Sequence, residues 1–160
     1  MLNVTVIGVG RIKEKYFTAA LGEYEKRLGR YCRLNLIEVR DEPTPDAPSE
    51  RERDLVLDKE GKRILDKIPD TAYVTALCIE GRQMSSEDLA ETLENLAAAG
   101  SSHLVFVIGG SMGLSRAVKE RSALKLSFSP MTFPHQLMRV ILLEQIYRAF
   151  TILQGGKYHK

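Results

Sequence analysis

The sequence predicts a single α/β domain over residues 1–160, built on a mainly parallel, five-stranded sheet with right-handed crossovers. Short apolar runs alternate with helical segments from end to end, and no linker or internal repeat interrupts the alternation. The run at 72–79 is apolar almost throughout, which is typical of a parallel strand covered by helices on both faces. A chain of 160 residues is long enough for one substantial core.

The first half of the chain predicts three strands and two helices. Three prolines in residues 41–49 exclude regular structure there and predict a surface loop. Ser49 and Glu52 have the spacing of a capping box, which predicts a helix start. The predicted strands cover residues 2–8, 34–39 and 72–79, and the predicted helices cover residues 13–28 and 50–67.

The second half predicts two more strands and three helices. Ser85 and Asp88 repeat the capping pattern, and Gly100 is placed to end the helix that they begin. Pro134 suits the first turn of the last helix. The predicted strands cover residues 104–108 and 124–128, and the predicted helices cover residues 86–99, 113–121 and 134–153.

Two irregular loops follow the last two strands. The fourth strand leads into Gly109-Gly110-Ser111-Met112-Gly113, and the fifth leads into Ser129 to Pro134. Because the carboxyl ends of parallel strands meet at one edge of a sheet, these loops predict a ligand crevice. The glycines would let the backbone approach a ligand and present N–H donors. A tight turn with no ligand remains the alternative for this segment.

Several familiar kinds of site are missing from the sequence. The turn at 109–113 is not G-x-G-x-x-G, no acidic residue follows at the distance a nicotinamide site requires, and no Walker A pattern is present. No catalytic triad, HExxH motif or usable metal-ligand spacing is found. These absences favour a cofactor that carries its own electrophile. The apolar loop Phe128–Phe133 would suit an adenine ring with a thioether-bearing tail, although a loop that only caps the core is the alternative.

The last helix carries both a candidate site and a candidate interface. His135 and Arg139 are one turn apart, next to the predicted crevice. The alternatives are that His135 has no role and that Arg139 pairs with Glu144 of another chain. Apolar residues point in nearly every direction around this helix, so we expect a second copy of the chain to cover part of it in a homodimer.

Charge is distributed unevenly along the chain. Residues 1–102 carry 15 basic and 19 acidic residues, a net charge of −4, whereas residues 103–160 carry 8 and 2, a net charge of +6. The basic half contains the predicted crevice, which suits a polyanion or a phosphate-bearing ligand. Chance segregation on a solvated surface is the alternative.

Cysteine usage and hydropathy predict a cytoplasmic protein with no membrane or metal partner. Cys32 and Cys78 lie far apart in sequence and fit no metal spacing, so we expect buried or half-buried free thiols in a reducing compartment. No run reaches the roughly 18 apolar residues of a membrane span, and no signal peptide is recognisable.

Several segments together resemble a known family. VIGGSMGLS, LSFSPMTFPHQLMRVILLEQIYRAF, the terminal YHK, LCIEG and the opening VIGVGRIKEKYFTAALGEYEKRL are similar to the SPOUT superfamily of S-adenosylmethionine-dependent RNA methyltransferases. Within it they resemble the family of ribosomal RNA large-subunit methyltransferase H. The resemblance covers the whole chain. It implies a C-terminal trefoil knot, a homodimer, and methylation of N3 of a pseudouridine in 23S rRNA on the assembled ribosome.

The same resemblance implies which residues form the site. S-adenosyl-L-methionine would be bound by Leu77, Gly109, Phe128, Ser129, Pro130, Met131, Thr132 and Phe133. Because the imide N–H must lose its proton, a general base would help, and His135, His159 and His103 are the candidates. Arg139 could clamp a phosphate or polarise a uracil carbonyl.

The last four residues, Lys157-Tyr158-His159-Lys160, follow a Gly-Gly hinge. We expect Tyr158 and His159 to help form the RNA-side wall of the active site, either in their own chain or in the other subunit, because an aromatic ring, an imidazole and two cations suit phosphate contact and base stacking. A disordered terminus is the alternative.

An RNA-binding SPOUT module without catalysis and a methyltransferase acting on tRNA remain alternative functions.

Overall fold

The computed structural model describes all 160 residues and has five strands in one sheet. Every neighbouring pair is parallel, and the strand order is β2-β1-β4-β3-β5. The predicted α/β class and five-stranded sheet are confirmed, and the sheet is wholly rather than mainly parallel. The strands are β1 Leu2–Val9, β2 Cys32–Val39, β3 Tyr73–Gln83, β4 His103–Ile108 and β5 Leu124–Ser127.

Five helices alternate with the strands, as predicted. Both capping boxes form: the Ser49 hydroxyl accepts from the Glu52 N–H at 3.1 Å, and the Ser85 hydroxyl accepts from the Asp88 N–H at 3.0 Å. Each box satisfies N–H groups that the first turn of a helix leaves free. The helices are α1 Lys15–Leu28, α2 Glu50–Leu65, α3 Ser86–Ala98, α4 Arg116–Arg121 and α5 His135–Leu153.

Two hydrophobic clusters lie on opposite faces of the sheet. Along β4, Phe106 contributes to the cluster with α1, α3 and α5, whereas its neighbours Val105 and Val107 contribute to the cluster with α2 and α4. Successive strand residues point to opposite faces, so a strand that is buried on both sides must be apolar at every position. This is the physical reason why the central strands show no polar alternation.

Strand β3 is longer than the sequence predicts. It pairs with β5 up to Leu77, and then resumes at Arg82, which pairs with the same residue, Leu126, as Leu77 does. The residues between them bulge out of the ladder, a device that bends a strand and redirects its side chains. Gly81 is required at the end of the bulge because a Cβ atom there would lie 2.7 Å from the carbonyl carbon of Lys125. The expectation that the strand ends at residue 79 was wrong.

The topology places four irregular segments side by side at the carboxyl edge of the sheet. They are the turn after β1, the turn after β4, the bulge in β3 and the loop after β5, in the spatial order of their strands. None of the helices has both the length and the hydrophobicity that a membrane crossing requires.

Candidate functional site

A cleft of about 330 Å³ opens at the carboxyl edge of the sheet. Its walls come from the β3 bulge, the glycine turn after β4, the loop after β5 and the start of α5. Seven of the eight residues predicted to bind a cofactor line it: Leu77, Gly109, Phe128, Ser129, Met131, Thr132 and Phe133. Pro130 belongs to the same loop but is not among the lining residues. The three segments that the sequence marked separately therefore form one concave surface.

The glycine turn is closed tightly on itself. Gly110 and Gly113 form an isolated bridge, with the Gly113 N–H donating to the Gly110 carbonyl at 3.1 Å. Gly113 has a φ of +90°, a conformation that residues with a side chain rarely adopt. A Cβ atom on Gly109 would lie 2.5 Å from the Gly113 carbonyl carbon. The turn therefore presents bare backbone to the cleft.

The loop after β5 combines an internally bonded backbone with exposed apolar side chains. The Ser129 hydroxyl accepts from the Met131 N–H at 3.0 Å, which fixes the turn of the loop. Met131 is 71% exposed and Phe133 is 36% exposed, and both line the cleft. Large apolar side chains left in water at the mouth of a cleft are typical of a ligand or partner site.

An ion pair at the rim of the cleft was not foreseen from the sequence. Glu80 in the β3 bulge binds Lys119 of α4, and both line the cleft. The hydrogen bond from Lys119 is the main reason that the pKa of Glu80 lies below its ordinary value. No local motif indicates this pair, because it depends on the bulge and joins residues that are 39 positions apart in sequence.

His135 lines the cleft, as predicted for a candidate proton acceptor. Burial lowers the pKa of its imidazole, the positive charge of Arg139 lowers it further, and the carboxylate of Asp41 opposes the decrease. An imidazole with a lowered pKa is neutral at pH 7 and can accept a proton. The sequence placed His135 correctly beside the crevice.

Arg139 is placed differently from the sequence hypothesis. It is 5% exposed and does not line the cleft. Its guanidinium donates to Glu38 at 2.7 Å and to the carbonyls of Val9 and Gly10, both at 2.7 Å. Gly8 makes room for it, since a Cβ atom there would lie 2.5 Å from the guanidinium carbon. In this chain Arg139 fixes α5 to the turn after β1, and most of its donors are already occupied.

The alternative partner considered for Arg139, Glu144, is engaged elsewhere in the same chain. Its carboxylate accepts from Arg148 at 2.5 Å and from the Tyr158 hydroxyl at 3.1 Å. The pair with Arg148 has the i,i+4 spacing of a salt bridge along one helix face and could have been recognised in the sequence, whereas the bond from Tyr158 could not.

The C-terminal tail folds back along its own helix. Gly155 has a φ of +67°, and the Gly156 N–H donates to the Thr151 carbonyl at 2.8 Å, so the predicted hinge is present. His159 binds Glu87 of α3 at 2.6 Å, and the Tyr158 ring packs edge-on against Tyr147 at 4.8 Å. The tail is thus ordered, but neither predicted tail residue lines the cleft of its own chain.

The positions of His103 and of the two cysteines show whether each of them belongs to the cleft. His103 begins β4 at the amino edge of the sheet, opposite to the cleft, and its ring hydrogen-bonds Thr5 at 2.8 Å, so it is wrong as a candidate base. Cys32 is buried and Cys78 is half-buried, as expected, and Cys78 also lines the cleft. No group of three or more His, Cys, Asp or Glu side chains is placed to hold a metal ion.

Comparison with known proteins confirms the resemblance over nearly the whole chain. The family described as "Predicted SPOUT methyltransferase" matches residues 2–159. Proteins named "Ribosomal RNA large subunit methyltransferase H" from Clostridium kluyveri and Limosilactobacillus reuteri are 54% and 55% identical over 159 residues. A "Putative ribosomal RNA large subunit methyltransferase H" from Methanococcus vannielii is 54% identical over the same length. Each alignment covers 99% of this chain and 100% of the relative. The chain belongs to the SPOUT methyltransferase family, which implies a C-terminal trefoil knot, and it is a methyltransferase.

Proposed function

We propose that this chain is an S-adenosyl-L-methionine-dependent ribosomal RNA methyltransferase that acts on N3 of a pseudouridine in 23S rRNA, on the assembled ribosome in the cytoplasm. The observation that carries the proposal is the convergence of Leu77, the glycine turn and the Phe128–Phe133 loop on one cleft beside His135. The substrate is inferred from the names of relatives that match this chain along their entire length.

The residues of the cleft fit the proposed cofactor. Its volume lies within the roughly 300–1,000 Å³ of small-molecule sites. Backbone rather than side chains of Gly109 and Gly113 lines the cleft, and the exposed side chains of Met131 and Phe133 offer apolar cover for a planar ring. When bound, the cofactor supplies an electrophilic methyl group, so the protein needs neither a nucleophile nor a metal of its own.

In this proposal the protein orients the reactants and removes one proton. Holding the methyl donor and the acceptor nitrogen in line can lower the barrier by about 7–11 kcal/mol. His135 is the titratable side chain at the α5 end of the cleft, and its lowered pKa keeps it neutral, so it is the candidate acceptor for the N3 proton. A positioned general base typically contributes about 10²–10⁴-fold.

A homodimer forms part of the proposal, with the outward face of α5 as its interface. The apolar residues of this face are only half-buried in the single chain: Leu137, Val140, Ile141 and Tyr147. The tail packs beside the same face through Tyr158. A partner placed there would bring one subunit's Tyr158 and His159 near the other subunit's cleft, where they would face the RNA.

Methyl incorporation from tritiated cofactor tests the reaction and its substrate together. We expect incorporation into assembled ribosomes that lack the modification, at a single nucleotide of 23S rRNA. His135→Gln should lower kcat by at least tenfold and leave cofactor affinity nearly unchanged. Incorporation into tRNA instead would favour the tRNA methyltransferase, and ribosome binding without incorporation would favour a non-catalytic module.

Removing residues 157–160 tests the role of the tail. We expect the truncated chain to lose methylation of ribosomes while keeping its cofactor affinity, measured by calorimetry, and its oligomeric state. Full activity would contradict the proposed RNA-side role. Loss of cofactor binding would mean that the tail covers the methyl donor rather than the RNA.

A further inference from the structure

We propose that Asp41 is a positioning residue for His135: its carboxylate, held beside Gly10, stabilises the imidazolium that forms when His135 accepts the substrate proton. This inference rests on the proposed function. It adds the turn after β1 and the loop after β2 to an active site that the sequence assigned to Leu77, the loops after β4 and β5, the last helix and the tail.

The geometry is set at Gly10, which is close to both side chains. The point where a Cβ atom of Gly10 would be is 3.9 Å from Cβ and Cγ of Asp41 and 4.0 Å from Nε2 of His135. Gly10 has a φ of +86°, and its N–H donates to the Val39 carbonyl at 2.8 Å, so the turn is fastened to the end of β2. Both groups therefore lie within van der Waals reach of one point beside Gly10, and residue 10 has no side chain to fill the space next to them.

The backbone on both sides of Asp41 is anchored, although this loop is rich in proline. On one side the Arg40 carbonyl accepts from Arg63 at 2.9 Å. On the other side the Glu42 N–H donates to the buried carboxylate of Glu60 at 2.9 Å, and the Glu42 side chain pairs with Arg63. These contacts restrain the loop where Asp41 leaves it, which is what a positioned charge requires.

The carboxylate of Asp41 is free to act on another group. Asp41 is exposed, and its side chain makes no hydrogen bond and no salt bridge, whereas its neighbour Glu42 is fully engaged. An anchored acid with an unengaged carboxylate is unusual among the charged residues at this edge: Glu38, Glu80 and Lys119 all have partners.

Among the influences on the charge state of His135, only Asp41 favours the protonated imidazole. Arg139 of the same helix disfavours the protonated imidazole, and so does burial; Asp41 favours it. Glu80 and Lys119 line the same cleft but are paired with each other, so their fields largely cancel. Arg139 is itself paired with Glu38, but without Asp41 the remaining influences on His135, burial and Arg139, would both disfavour the protonated imidazole.

The sign of the effect follows from this balance. Replacing the carboxylate by an amide removes the one influence that raises the pKa of His135, so the imidazole should become a weaker base. We expect Asp41→Asn to lower kcat about three- to tenfold at pH 7 and to move the acidic limb of the kcat profile to lower pH. The KM for ribosomes and the affinity for S-adenosyl-L-methionine should change less than twofold, since Asp41 acts through His135.

The experiment compares Asp41→Asn with Asp46→Asn, which removes an exposed carboxylate from the same loop. The midpoint of His135 is also followed by NMR titration in the ligand-free protein, with His135→Gln used to assign its resonance. The proposal predicts a lower midpoint in Asp41→Asn only. An unchanged midpoint overturns it, as does a change confined to the KM for ribosomes, which would mean that Asp41 contacts RNA directly.

The NMR measurement separates this inference from the proposed function. A wild-type protein that methylates no RNA would refute the proposed function, whereas the midpoints would still show whether the two side chains are coupled. A wild-type protein that methylates ribosomes, together with an Asp41→Asn variant of identical kcat profile, would refute only the role of Asp41.

Discussion

A single methyl group added at Gly109 tests the placement of the cofactor. In Gly109→Ala the new Cβ atom would lie 2.5 Å from the Gly113 carbonyl carbon and 3.1 Å from its Cα, whereas ordinary contacts begin near 3.4 Å. Both opposing atoms belong to the backbone, so no side chain can rotate away and the turn itself must open by roughly 1 Å. Overpacking of this kind costs about 1–3 kcal/mol.

This cost should lower the free energy of unfolding, and because the turn is part of the cleft wall, its displacement should weaken cofactor binding by a similar amount. A loss of about 1–3 kcal/mol corresponds to cofactor affinity that is weaker by roughly 5- to 150-fold, measured by calorimetry with S-adenosyl-L-methionine. Gly22→Ala is the matched control. Gly22 lies inside α1 with no atom within 4 Å of its added Cβ, so alanine should raise stability by about 0.5–1 kcal/mol and leave affinity unchanged. A Gly109→Ala variant with the free energy of unfolding and the cofactor affinity of the wild type would refute the reasoning.

Three further predictions address other parts of the chain. Arg139→Met should lower the free energy of unfolding, measured in urea, by about 2–3 kcal/mol. This is less than for a fully buried ion pair, because Glu38 is 44% exposed. Loss of RNA binding at unchanged stability would instead support the hypothesis that Arg139 clamps a phosphate. Bound cofactor should slow alkylation of Cys78, which lines the cleft, and equal labelling with and without cofactor would contradict that placement. Burial raises the pKa of Tyr158 to about 12, so its interactions should weaken as pH rises from 10 to 12, and Tyr158→Phe should remove the last phase of a tyrosinate absorbance titration.

The sheet was predictable because the signals that specify it are local. An uninterrupted apolar strand such as Leu104–Ile108 is the direct consequence of burial on two faces, and both capping boxes can be recognised from a spacing of three residues. The cleft was predictable for a related reason. In a parallel sheet every strand delivers the loop that follows it to the same edge, so the sequence needs to mark only the strands and the loops.

The rest of the site depends on contacts that no local pattern encodes. Arg139 pairs with Glu38 across 101 residues, and the arginine fits only because residue 8 is glycine. The β3 bulge arises from a register shift against an edge strand, and the sequence shows only Glu80-Gly81, which resembles an ordinary strand end. A correct helix assignment places Arg139 beside the crevice. It does not show whether the side chain points into the crevice or towards partners elsewhere in the chain.

The last helix supports the predicted dimer less strongly in the structure than in the sequence. Its apolar circumference predicted a dimer, yet six of its residues are buried within one chain and none is fully exposed. Two other features make the case for a partner: the tail packed beside the half-buried face, and the exposed Met131 and Phe133 at the cleft. If a second copy covers the half-buried face, the tail and these two side chains, Val140→Glu should sediment as a monomer and lose ribosome methylation. Leu55→Glu on α2, at a site already 51% exposed, should change neither property. An active monomer of Val140→Glu would show that each chain works alone and that the tail serves its own subunit.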